Sequence, residues 1–197
     1  MSAPNAYYDS RFERAVETVL DHEGGFVDHP NDPGGATSFG ISLRWLRSIG
    51  LLDRDQDGCP DGDLDLDGDV DEADIRRLTR ADAKRLYHIY WWERYGYGEL
   101  QLAVGAKVFD LSVNMGPGSR TKAGAHSILQ RACRACGHKL VEDAMIGPKT
   151  IEAVNECNGL ALLAAIRSEA AGRYRELIAH NSRLKAFERG WLNRAYA

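Results

Sequence analysis

The sequence predicts a mainly α chain, a helical body with one small β element and an acidic loop inserted behind its second helix. Apolar residues recur at three- and four-residue spacing along most of the 197 positions, beginning with Phe12, Ala15, Val16, Val19 and Leu20. The β-prone stretch is confined to residues 38–42. Eleven acidic side chains crowd into residues 53–74 against Arg54 alone.

The first apolar stripe predicts a helix over 10–23, ended by Gly24 and Gly25. Leu43–Ile49 reads as a second helix closed by Gly50. Beyond the acidic loop, Glu72–Leu78 makes a short helix. Thr79 opens the next with Asp82 three residues later, a capping-box variant. That helix carries Ala83, Leu86, Tyr87 and Tyr90 into the aromatic cluster Tyr90-Trp91-Trp92-Glu93-Arg94-Tyr95-Gly96-Tyr97. Leu102–Asn114 is almost wholly apolar and predicts a buried central helix, broken by Gly116-Pro117-Gly118. Further helices are expected over 120–136, from Gly147-Pro148 onward, and over Asn158–His180.

Composition narrows the class. With 44% hydrophobic and 27% charged residues the chain reads as an ordinary globular protein, long enough for one good core or two small ones. No apolar run approaches the roughly 20 residues that span a bilayer, so no membrane insertion is expected. The N-terminus lacks the basic start, apolar segment and cleavage site of a signal peptide. The net charge of −4 conceals a local −10 over residues 53–74, so the remainder carries +6. A mildly basic body suits an anionic polymer and is too weakly charged to argue for nucleic acid. Cys133, Cys136 and Cys157, with His138, have spacing that a zinc site could use. A continuous helix through Cys133 and Cys136, with no secretion signal, favours reduced thiols over zinc or a disulfide.

The most informative run is His22-Glu23-Gly24-Gly25-Phe26-Val27-Asp28-His29-Pro30-Asn31-Asp32-Pro33-Gly34-Gly35-Ala36-Thr37-Ser38-Phe39-Gly40-Ile41. It places a carboxylic acid at the end of an amphipathic helix, beside a polar, glycine-rich loop. Partial burial there would keep the acid protonated near neutral pH, as general acid catalysis requires. This run resembles the catalytic signature of glycoside hydrolase family 108, the N-acetylmuramidases found among phage endolysins. Leu86–Trp92 and Val108–Gly118 resemble the same family, and Asp143–Asn155 resembles the peptidoglycan-binding segment that follows it. The resemblance covers nearly the whole chain except residues 53–72.

The resemblance implies a lysozyme-like fold in which residues 1–98 form the muramidase catalytic segment and 99–197 a helical peptidoglycan-binding segment, packed as one body. It makes Glu23 the proton donor and Asp32 and Thr37 its water-positioning partners. Eight residues separate Glu23 from Asp32 and four separate Asp32 from Thr37, where phage-type lysozymes have five in the second gap. With no strong nucleophile evident near Glu23, an inverting or water-assisted route is expected. Asn114 in the cleft-flooring turn and the aromatics Trp91 and Tyr95 are the expected substrate contacts. The implied setting is a monomeric endolysin made in the host cytoplasm and released by a holin to the periplasmic wall. A lytic transglycosylase and a non-catalytic wall-binding module are the alternatives.

The acidic loop carries separate chemistry. Asp63-Leu64-Asp65-Leu66-Asp67-Gly68-Asp69-Val70-Asp71-Glu72-Ala73-Asp74 puts oxygen ligands at positions one, three, five, nine and twelve of an EF-hand-like loop, with glycine at six. Aspartate replaces the usual final glutamate, as in dockerin-like calcium loops. Carboxylates so close together would repel one another without a hard dication. Asp63, Asp65, Asp67, Asp69 and Asp74 are therefore the expected metal ligands, holding a structural calcium that catalysis does not need. Asp53–Gly58 repeats the opening half, but Pro60 and Leu64 break the later positions and leave a second ion open.

Overall fold

The computed structural model describes residues 8–23, 25, 26 and 35–197, with residues 22 and 23 described by their backbone alone. The expected mainly α, lysozyme-like fold with one small sheet is what these residues form. They fall into two compact units, Met1–Arg94 and Tyr95–Ala197.

In the first unit, α1 (Ser10–Glu23) buries Phe12, Ala15, Val16, Val19 and Leu20, the stripe read from its spacing. Strands β1 (Thr37–Ser38) and β2 (Ile41–Ser42) pair antiparallel through Thr37–Ser42 and Ser38–Ile41. Their turn is Phe39-Gly40, both with positive φ (49° and 77°), as a two-residue hairpin requires. Ser42 caps α2 (Leu43–Ile49) by accepting the Trp45 N–H at 3.3 Å. After the acidic insertion come α3 (Glu72–Arg77) and α4 (Arg80–Tyr87), both opened by capping boxes, from Asp71/Asp74 and Thr79/Asp82. Tyr87 donates its hydroxyl hydrogen to the Phe39 carbonyl at 2.9 Å and so ties α4 to the hairpin turn.

The aromatic cluster departs from expectation. In place of a continuing α-helix, His88–Glu93 forms one turn of π-helix. Six residues are too few for their apolar spacing to separate the two periods, and aromatic packing settles the matter. Tyr90 and Trp92 are buried, with Trp92 5.6 Å from the Phe12 ring, while Trp91 is half-buried against Trp45.

In the second unit, α5 (Leu102–Met115) packs against α6 (Ala125–Ala135) and α8 (Gly159–His180), with α7 (Pro148–Glu156) against α6 and α8. Helix α6 starts at 125, later than the expected 120, because Ser119 and Lys122 close a tight turn. The chain then passes Gly124, where a Cβ would lie 2.5 Å from the Gly118 nitrogen. A final helix absent from the sequence reading, α9 (Glu188–Tyr196), packs on α8. Its Arg194 ion-pairs with buried Asp110 of α5 at 2.9 Å, and Lys107 donates to the Arg194 carbonyl. A helix read as apolar thus hides a charged latch.

Candidate active site and acidic loop

Glu23 is the last residue of α1, and its side chain lies outside the described atoms. Asp32, with Asp28 and His29, lies wholly outside the described residues. Helix α1 pins its outer face to α4 through ion pairs of Arg80 with Glu17 (2.5 Å) and Asp21 (3.4 Å) and of Lys84 with Glu13. Thr37, the first residue of β1, is partly exposed and donates its hydroxyl weakly to the Gly35 carbonyl at 3.4 Å.

Trp91 sits on the π-helix, its ring 4.7 Å from that of Trp45 and 5.2 Å from that of Tyr87. Both tryptophans are half-buried. The sequence reading missed Trp45 as a companion to Trp91. On α2 alone it looks like an ordinary core-facing aromatic, and only tertiary packing pairs the two. In the second unit, Tyr95 packs edge-on to His126 at 5.0 Å. Asn114, exposed near the end of α5, accepts the Tyr174 hydroxyl hydrogen at 2.8 Å, which fixes its amide.

The turn after Asn114 is clamped to α6. The Gly116 and Pro117 carbonyls accept the N–H groups of Ala125 and His126, each at 3.0 Å. His126 is buried, and its Nδ1 donates to the Ala144 carbonyl at 3.0 Å. That assigns its Nε2 as acceptor for the Tyr97 hydroxyl at 2.8 Å. Burial lowers the His126 pKa to about 4, and burial raises that of Tyr97. Nearby, Gln130, Lys139, Leu140, Asp143 and the Gly147–Thr150 start of α7 line an open groove of about 510 Å³, with the exposed Val141 and Met145 also in its wall. Cys133, Cys136 and Cys157 are free thiols, and burial pushes Cys133 up to about 12. Among the described residues these cysteines and His138 form no cluster of three ligands.

The acidic insertion divides its five expected ligands between two groups, Asp63, Asp65 and Asp67 in one and Asp69 and Asp74 in the other, where Asp71, not among those expected, joins them. Oxygens of Asp63, Asp65 and Asp67 lie within 4.8 Å of one another, as do those of Asp69, Asp71 and Asp74. Asp63 accepts the N–H groups of Asp67 (3.1 Å) and Gly68 (2.9 Å). Asp74 is buried and accepts those of Leu64 (2.6 Å), Asp65 (3.3 Å) and Asp71 (2.7 Å). Two of these fill one of its oxygens, while the other retains a lone pair for a cation. Asp65 has a buried carboxylate oxygen with no hydrogen-bond partner among the described residues. Burial, then the charges of Asp67 and Asp74, raise its pKa, and Asp67 foremost raises that of Asp69. Hard oxygen donors, mutual repulsion and an orphaned acceptor all fit a divalent cation.

Residues 16–116 match the family model described as Glycosyl hydrolase 108, and residues 124–196 match the one described as Predicted Peptidoglycan domain. The solved structure of Brucella abortus SagA is similar, with a TM-score of 0.67 and 27% sequence identity over 93% of this chain and 88% of that one. No curated protein matches the chain.

Proposed function

We propose, since this chain belongs to the glycosyl hydrolase 108 family, that it is an endolysin-type N-acetylmuramidase. It would hydrolyse the β-1,4 bond between N-acetylmuramic acid and N-acetylglucosamine in peptidoglycan. The observation that carries this reading is the family match over 16–116, which encloses an acid at a helix end and is followed by a peptidoglycan domain. In this reading residues 1–98 carry the catalysis and 99–197 hold the wall.

Glu23 protonates the glycosidic oxygen as the bond to the sugar breaks. Asp32 and Thr37 hold the water that attacks the oxocarbenium-like centre from the opposite face, and the Asp32 carboxylate takes up the proton that this water loses, an inverting course. Trp91, now joined by Trp45, offers a stacking surface for a pyranose ring, with Tyr95 and Asn114 as further contacts. The enzyme acts as a monomer and reaches the periplasmic wall from the host cytoplasm by holin-type release. Incubating purified peptidoglycan with the wild type and with Glu23→Gln tests the assignment. Soluble fragments should come from the first and not from the second.

The second repeat of the acidic insertion holds a structural calcium through Asp63, Asp65, Asp67, Asp69 and Asp74. A ligand bound only by the folded chain stabilises it by about 2.7 kcal/mol at a hundredfold excess over its Kd. For a chain of this length that is roughly 5–10 °C in Tm. EDTA should therefore lower the melting temperature by several degrees, and excess calcium should restore it. An unchanged melting curve would remove the metal from the account.

A further inference from the structure

The two halves of the acidic insertion fold alike. Asp53 accepts the N–H groups of Asp57 (3.2 Å) and Gly58 (3.0 Å), as Asp63 accepts those of Asp67 and Gly68. Asp57 then takes the Cys59 N–H at 2.9 Å, as Asp67 takes that of Asp69 at 3.1 Å. The left-handed positions also correspond, Gln56 (58°) with Leu66 (63°) and Gly58 (90°) with Gly68 (100°). Oxygens of Asp53, Asp55 and Asp57 lie within 4.8 Å of one another, like those of Asp63, Asp65 and Asp67. By backbone and by the carboxylates at positions one, three and five, the two halves look equally ready for an ion.

They differ in what the rest of the fold brings to them. Arg85 of α4 reaches into the first repeat, with its guanidinium 2.9 Å from Asp55 and in contact with Asp61. These are the third and ninth loop positions, where a cation would draw oxygens. Asp61 is fully buried, and its other oxygen takes the Arg54 N–H (2.9 Å) and the Tyr90 hydroxyl (2.8 Å). Position twelve, Asp74 in the second repeat, is Leu64 in the first. In the second repeat, by contrast, no Lys, Arg or His pairs with Asp63, Asp65 or Asp67 among the described residues, and Asp65 keeps its orphaned oxygen.

We propose that Arg85 is the built-in cation of the first repeat, so that the tandem insertion binds one divalent cation, in the second repeat, and not two. A guanidinium stays charged at any pH the protein survives. A dication on Asp55 would sit one carboxylate away from that fixed charge. Arg85 also fastens the first repeat to α4 permanently, while the second repeat depends on an ion. The count rests on the calcium reading above.

Calcium titration of the full chain by isothermal calorimetry, with calcium as the only added ligand, tests it. One equivalent should bind the wild type, and none should bind Asp65→Asn. Arg85→Lys keeps the charge and should still bind one. Arg85→Gln should bind a second equivalent, or, if it unfolds without metal, should regain its native circular dichroism only with calcium present. Two equivalents in the wild type would overturn the assignment of Arg85 and leave the calcium reading intact. So would a folded Arg85→Gln that binds only one. No binding to the wild type would overturn the calcium reading itself, and the count with it.

Discussion

Glu23→Gln should clear purified peptidoglycan about a thousandfold more slowly than the wild type, within the 10²–10⁴ that a positioned general acid contributes. That corresponds to about 4 kcal/mol of transition-state stabilisation. Glutamine keeps the size and hydrogen-bonding reach of the side chain but has no proton to give the departing oxygen. The loss should therefore fall on kcat, with cosedimentation on insoluble wall retained. Removing a wall contact gives the opposite pattern, a weakened association with turnover preserved at saturation. Turbidity clearing read beside cosedimentation separates the two. Equal clearing by mutant and wild type would mean that the acid at the end of α1 is not the proton donor.

The second large effect is a loss of stability in mild acid. His126 is held neutral inside the second unit, accepting from Tyr97 and donating to Ala144, with its pKa lowered by burial to about 4. An unfolded histidine titrates near 6.5. Between these values the unfolded chain binds a proton that the folded chain refuses. The contribution is therefore whole above pH 6.5 and drains away as pH falls toward 4, by about 1.4 kcal/mol per unit and roughly 3 kcal/mol across the window. Urea denaturation at pH 7 and pH 4.5 should show this in the wild type. A His126→Gln variant should be weaker at pH 7 and lose much less on acidification. Parallel losses in the two proteins would assign the acid sensitivity to carboxylates such as Glu142, whose pKa is lowered by its hydrogen bond to Arg131.

Much of this was written locally in the chain. The stripe of α1, the Thr79/Asp82 capping box, the Gly147-Pro148 start of α7 and the spacing of the aspartates are short-range patterns, and each element formed close to where its pattern sits. What escaped depends on partners far away in sequence. Helix α9 has no side-chain cap and is held by Arg194 reaching Asp110, 84 residues earlier. The Trp45–Trp91 pair joins α2 to the π-helix. Arg85 finds Asp55 and Asp61 from 30 and 24 residues away, and nothing in its own helix marks it as a counter-ion. The role proposed for Glu23 also rests on a local pattern, an acid at a helix end before a glycine-rich loop. The partnership proposed for Asp32 and Thr37 rests on the residue spacing that resembles phage-type lysozymes.

Hydrolysis by this chain is read most directly by mass spectrometry of the soluble fragments that the wild type releases from purified peptidoglycan. A hydrolytic muramidase releases fragments ending in reducing N-acetylmuramic acid, since water is the attacking group. Fragments ending in 1,6-anhydro-muramic acid would contradict hydrolysis, because they would show the sugar's own 6-hydroxyl attacking in place of water, the reaction of a lytic transglycosylase.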